Sequence, residues 1–83
     1  MVNREQAMQI INQEKLNGYN WFDDHDTKPG EIVISENNGK WLVFTTDERA
    51  NSVSRKDFKN INDALENFIK RLRAQKKFND LYR

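Results

Sequence analysis

Residues 31–47, EIVISENNGKWLVFTTD, constrain this chain more than any other stretch. Asn38-Gly39 lies between two apolar runs, and Asn-Gly best tolerates the two positive-φ positions of a type I′ turn. A two-residue turn fixes the hairpin register. Counting outward, Glu36 faces Trp41, Ile34 faces Val43 and Ile32 faces Thr45 on one side, while Ser35 faces Leu42 and Val33 faces Phe44 on the other. One face therefore carries Ile32, Ile34, Trp41 and Val43, the other Val33, Leu42 and Phe44. A sheet apolar on both faces needs cover on both: a helix on each, or a helix on one and a partner on the other.

The flanking segments supply helices. In NREQAMQIINQEKLNG, Asn3 and Gln6 form a capping-box pattern and Gly18 offers a left-handed stop, which predicts a helix over residues 4–17. Ala7, Ile10 and Ile11, flanked by Met8 and Leu16, give it a single apolar stripe. The strongest helical pattern is NINDALENFIKRLRAQKK, where Ile61, Leu65, Phe68 and Leu72 recur at helical spacing. Asn60 with Asp63 resembles its cap, and its basic run falls where the helix dipole favours cations. Between helix and hairpin, YNWFDDHDTKPGE has an aromatic start that suits a short strand and reads otherwise mostly as loop around the Pro29-Gly30 turn signal. After the hairpin, NSVSRKDF predicts a third, weaker strand ending near Phe58. The expected fold is α+β in the order α-β-β-β-α: a small antiparallel three-stranded sheet with the C-terminal helix packed on one face. At 83 residues this is one domain, 1–83, and a chain so short buries only about 60–65% of its unfolded surface.

Charge is polarised along the chain. The formal total is +1, yet residues 1–48 hold four basic side chains against nine acidic ones and residues 49–83 hold ten against four. Cysteine is absent, which removes disulfides and thiolate metal sites and favours a reducing compartment. The N-terminal stretch MVNREQAMQI lacks the pattern of a secretory signal, and the longest apolar run, WLVF, is far too short to span a bilayer. The expectation is a cytoplasmic protein with no membrane association.

Two short segments carry candidate chemistry. DDHD, residues 23–26, combines His25 with Asp23, Asp24 and Asp26. Four consecutive residues cannot converge easily on one ion, so no metal or cofactor is expected, and the segment reads either as a solvated acidic loop or as an acidic contact surface framed by Trp21 and Phe22. TDERA, residues 46–50, pairs Asp47 with Glu48, but neighbouring residues on an extended chain diverge and do not flank one bond as glycosidase carboxylates must. A charged turn closed by a local Asp-Arg or Glu-Arg pair, or a partner contact, is the expectation there. With one histidine, no phosphate-cradling glycine loop and no nucleophile elbow, no catalytic residue is expected and the protein is not an enzyme. The partner-binding set is Trp21, Asp23, Asp24, Asp26, Asp47 and Glu48. The alternative is a small regulator that binds nucleic acid through Lys70, Arg71, Arg73, Lys76 and Lys77; the acidic half disfavours it.

GKWLVFTTDERANS, then Phe58, then DALENFIKRLR at residues 63–73, resembles the Immunity protein 59 family. The resemblance covers roughly the C-terminal half, with the N-terminal helix matching in kind only. It implies a bacterial polymorphic-toxin immunity protein, or antitoxin, that neutralises a cognate toxin by direct, non-enzymatic binding in the cytoplasm. A homodimer through the second sheet face is a further expectation.

Overall fold

The computed structural model describes residues 2–81. Its elements run α1 (Arg4–Gln13), β1 (Tyr19–Trp21), β2 (Ile32–Asn37), β3 (Lys40–Thr46), β4 (Ser52–Phe58) and α2 (Ile61–Leu81). The hairpin has the register read from the sequence, from Glu36 opposite Trp41 to Ile32 opposite Thr45. β4 joins antiparallel on the β3 side. The sheet has four strands, not three: β1 lies beside β2 in parallel, so order β1-β2-β3-β4 makes a mixed sheet. Tyr19-Asn20-Trp21, the aromatic start of the segment read mostly as loop and not counted in the sheet, is that extra strand.

Both helices sit on one face. Ala7 and Ile11 of α1 and Ala64, Leu65, Phe68, Ile69 and Leu72 of α2 share a core with Ile32, Ile34 and Val43. Phe68 is its centre, with the Tyr19 ring edge-on at 6.1 Å and the Trp21 ring tilted at 5.9 Å. Trp41 and Phe58 pack at the margin. The cover expected for the second face, another helix or a partner, is supplied over β1 and β2 by the chain itself. Asn20 points there, beside its register partner Val33, and both are fully buried. The segment between β1 and β2 crosses above them, with Asn20 Nδ2 donating to the His25 carbonyl at 3.0 Å.

Helix α1 stops earlier than Gly18. Lys15 takes the left-handed conformation, φ 56°, its N–H donates to the Asn12 carbonyl, and Leu16 N–H reaches back to the Ile11 carbonyl at 2.9 Å. This is a Schellman closure, with Leu16 and Ile11 both buried as its apolar contact. Lysine pays a steric penalty where glycine would not. The basic run of α2 also differs from expectation. The helix continues to Leu81 and its last turn holds no basic residue. Its cations serve α1 instead: Arg73 donates to both Glu14 carboxylate oxygens at 2.8 and 2.5 Å, and Lys76 Nζ reaches the Glu14 carbonyl at 2.7 Å. Glu14 caps α1, so these cations occupy the negative end of its dipole. The hydrogen bond from Arg73 holds the Glu14 carboxyl below its ordinary range.

On β4 a bulge sets two residues, Ser54 and Arg55, opposite Phe44. Ser54 has φ 54°, and Arg71 of α2 donates to its carbonyl at 2.7 Å. Bulge, charges and Arg71 together blunt this exposed sheet edge.

Lys15→Gly should raise stability by about 0.5–1 kcal/mol in urea denaturation, since it removes a left-handed strain larger than the entropy glycine adds to the unfolded chain. A loss of stability would contradict the Schellman ending.

Candidate functional site: the acidic end of the sheet

The β1–β2 crossover, residues 22–31, and the β3–β4 turn, residues 47–51, are distant in sequence but meet at one end of the sheet. The crossover starts with two consecutive left-handed residues, Phe22 (φ 51°) and Asp23 (φ 59°). They reverse the chain immediately after Phe22 N–H bonds the Ile34 carbonyl. Aspartate tolerates this conformation and phenylalanine does so poorly. Phe22 is held by Trp21, edge-on at 5.0 Å, and by the Arg4 guanidinium 4.3 Å above its ring.

Thr46 ties the two segments together. Its hydroxyl donates to the Lys28 carbonyl at 2.8 Å and accepts from Glu31 N–H at 2.7 Å, while its own N–H donates to the Glu31 carbonyl at 2.8 Å. Gly30 N–H adds a bond to the Asp47 carbonyl at 3.3 Å. Beneath the crossover the Glu31 side chain is only 10% exposed, and a carboxylate so placed must be satisfied on both oxygens. Oε1 accepts from Lys28 N–H at 2.8 Å and Oε2 meets His25 Nε2 at 2.6 Å. His25 Nδ1 lies 2.5 Å from Asp24 Oδ1. The hydrogen bond to Glu31, and after it that to Asp24, raise the imidazole pKa above its ordinary 6.5 against the opposing effect of desolvation.

The turn is closed differently from the side-chain ion pair expected. Asp47 Oδ1 accepts from Arg49 N–H and Asn51 N–H, each at 2.9 Å, and Ala50 completes the reversal at φ 62°. The backbone donors of Asn51 and Arg49 pull the Asp47 carboxyl below its ordinary range. Glu48 and Arg49 stand exposed at the tip. An open groove of about 620 Å³ runs from this turn and Gly30 to Gln75 of α2.

The residues singled out from the sequence thus fall into two kinds. Asp23, Asp24, Asp26 and Glu48 are exposed, the first three on the crossover and Glu48 at the tip of the turn. Asp47 and Trp21 are engaged within the fold, Asp47 in its turn and Trp21 against Phe68 and Phe22. Glu31 and Thr46, the residues that organise the site, escaped the sequence reading. Among the described residues no group of three or more His, Cys, Asp or Glu side chains is placed to hold a metal ion, and no helix is long and apolar enough to cross a membrane.

The model of the Immunity protein 59 family matches residues 2–82. This chain belongs to that family. No curated protein and no solved structure matches it. In this Immunity protein 59 family member the match extends well beyond the C-terminal half that carried the resemblance, taking in α1, β1 and the acidic crossover.

Thr46→Val keeps the shape and removes the hydroxyl, leaving the buried Glu31 N–H without its partner at a cost of about 1–3 kcal/mol. Amide exchange at Gly30 and Glu31 should accelerate in this variant and stay slow in Thr46→Ser. Equal exchange in Thr46→Val and wild type would show that the hydroxyl does not anchor the crossover.

Proposed function

We propose that this chain neutralises a cognate toxin by direct binding, without catalysis, in the cytoplasm, and that the acidic end of the sheet is its contact surface. The observation that carries the reading is the junction at Thr46, which gathers six carboxylates from two segments against Lys28, Arg49 and the His25 imidazole. A rigid, negatively charged end suits a toxin with a basic substrate cleft, as a nuclease would have, because complementary fields speed encounter and select the partner. Asp23, Asp24, Asp26 and Glu48 supply the charge. Asp47 shapes the turn that presents Glu48, and Trp21 backs the start of the crossover.

The nucleic-acid alternative has less support. Of the five cations on α2 that suggested it, Arg71, Arg73 and Lys76 are engaged within the fold, to Ser54 and to Glu14.

Asp24 touches His25, so the charge test is best made without it. The triple variant Asp23→Asn, Asp26→Asn, Glu48→Gln should fold as wild type, while its association rate with the toxin falls roughly tenfold at low salt and converges on wild type at high salt. An unchanged rate at low salt would place the contact surface elsewhere.

A further inference from the structure

His25 is the one histidine of the chain and the one group at the acidic end whose ordinary titration lies near neutral pH. Both of its ring nitrogens face carboxylate oxygens, Nδ1 toward Asp24 at 2.5 Å and Nε2 toward Glu31 at 2.6 Å. An ionised carboxylate only accepts hydrogen bonds, and a neutral imidazole has only one N–H to give. In the neutral ring one nitrogen would therefore direct its lone pair at a carboxylate at hydrogen-bonding distance. Only the imidazolium satisfies both contacts.

The two carboxylates respond differently when that proton leaves. Glu31, 10% exposed, is committed to Lys28 N–H and has little water to turn to, so the remaining proton stays on Nε2. Asp24 is 50% exposed and free to swing into solvent. Asn20 and Thr46 of the underlying strands contribute only uncharged groups, bonded to the His25 carbonyl and to the Glu31 backbone. The charged groups acting on the ring are Glu31 and Asp24. Once Asp24 is released, the segment loses its clasp on residue 24 and is held through His25 alone, by the Nε2 bond to Glu31 and the bond from Asn20 to the His25 carbonyl.

We propose that His25 is a proton-operated latch on the acidic crossover, closed when its ring bridges Asp24 and Glu31 and open when it loses the proton facing Asp24. The latch makes the ordering of Asp23, Asp24 and Asp26 depend on pH in the neutral range. The direction follows from linkage: because the folded-state pKa is raised, the stabilisation is complete below about pH 6.5, the unfolded value, and is lost as pH rises through the folded value. As a regulator of partner binding the latch rests on the acidic end being the toxin surface. As a property of the fold it does not.

The test uses the protein alone, so its failure is separate from any failure of the toxin reading, which is decided by association rates. His25 ring nitrogens are titrated by NMR in wild type and Asp24→Asn, and amide exchange over residues 22–31, corrected for intrinsic base catalysis, is followed across the same pH range in both and in His25→Gln. The expected result is a ring with both nitrogens protonated in the closed state, a pKa above 6.5, and protection of the crossover that drops roughly tenfold through that pKa. Asp24→Asn should lower the pKa and shift the loosening with it, and Asp24 is exposed enough for that variant to fold. His25→Gln should show no pH-dependent loosening. A pKa at or below 6.5, exchange that ignores the titration, or the same loosening in His25→Gln would overturn the proposal.

Discussion

A hairpin with apolar side chains on both faces cannot leave either face in water, and the rest of the domain is placed by that requirement. One face receives both helices, which share a core centred on Phe68. The other receives, over β1 and β2, a crossover with no regular structure of its own. Irregular backbone laid over an apolar sheet has no ladder to satisfy its N–H and C=O groups. Polar side chains must do so from below. Asn20, Thr46 and Glu31 fill that role, each buried and each bonded to crossover backbone. The acidic segment is thereby ordered by a buried polar network while its own charged side chains remain at the surface.

Much of this was legible in the sequence where the cause was local. The Asn38-Gly39 turn determined every pairing of the central hairpin. The capping pair Asn3–Gln6 and the phase of Ile61, Leu65, Phe68 and Leu72 located both helices. What was not legible depends on contacts distant along the chain. β1 is three residues long and pairs with β2 in parallel, so no turn announces it. Lys15 ends α1 before Gly18 because Leu16 is drawn into the core beside Ile11, a tertiary pull that overrides the preference for glycine. Glu31 and Thr46 stand 15 residues apart, and nothing local to either marks it as an anchor. Only their meeting under the crossover gives them their importance.

The same distinction applies to charge. Divided along the sequence, the chain is acidic in its first part and basic in its second. In space the two meet where Arg73 and Lys76 close on Glu14, and within the first part Arg4 lies 3.8 Å from Glu36. Asp23, Asp26 and Glu48, on the crossover and at the tip of the β3–β4 turn, are exposed, while Glu5, Glu66 and Asp80 lie on the helices. Of the basic residues of α2 that on their own suggested nucleic acid, Arg73 and Lys76 clamp the end of α1 and Arg71 holds the β4 bulge. Membership of the Immunity protein 59 family suggests a toxin as partner, and the basic face proposed for that toxin rests on the charge of the crossover and turn alone.

The most direct test of the account is hydrogen exchange of the protein alone and in complex with its toxin. New protection should fall jointly on residues 22–31 and 47–51, because Thr46 makes the two segments one surface. Protection confined to the outer side of α2 or to the β4 edge, with the crossover and turn unchanged, would contradict it.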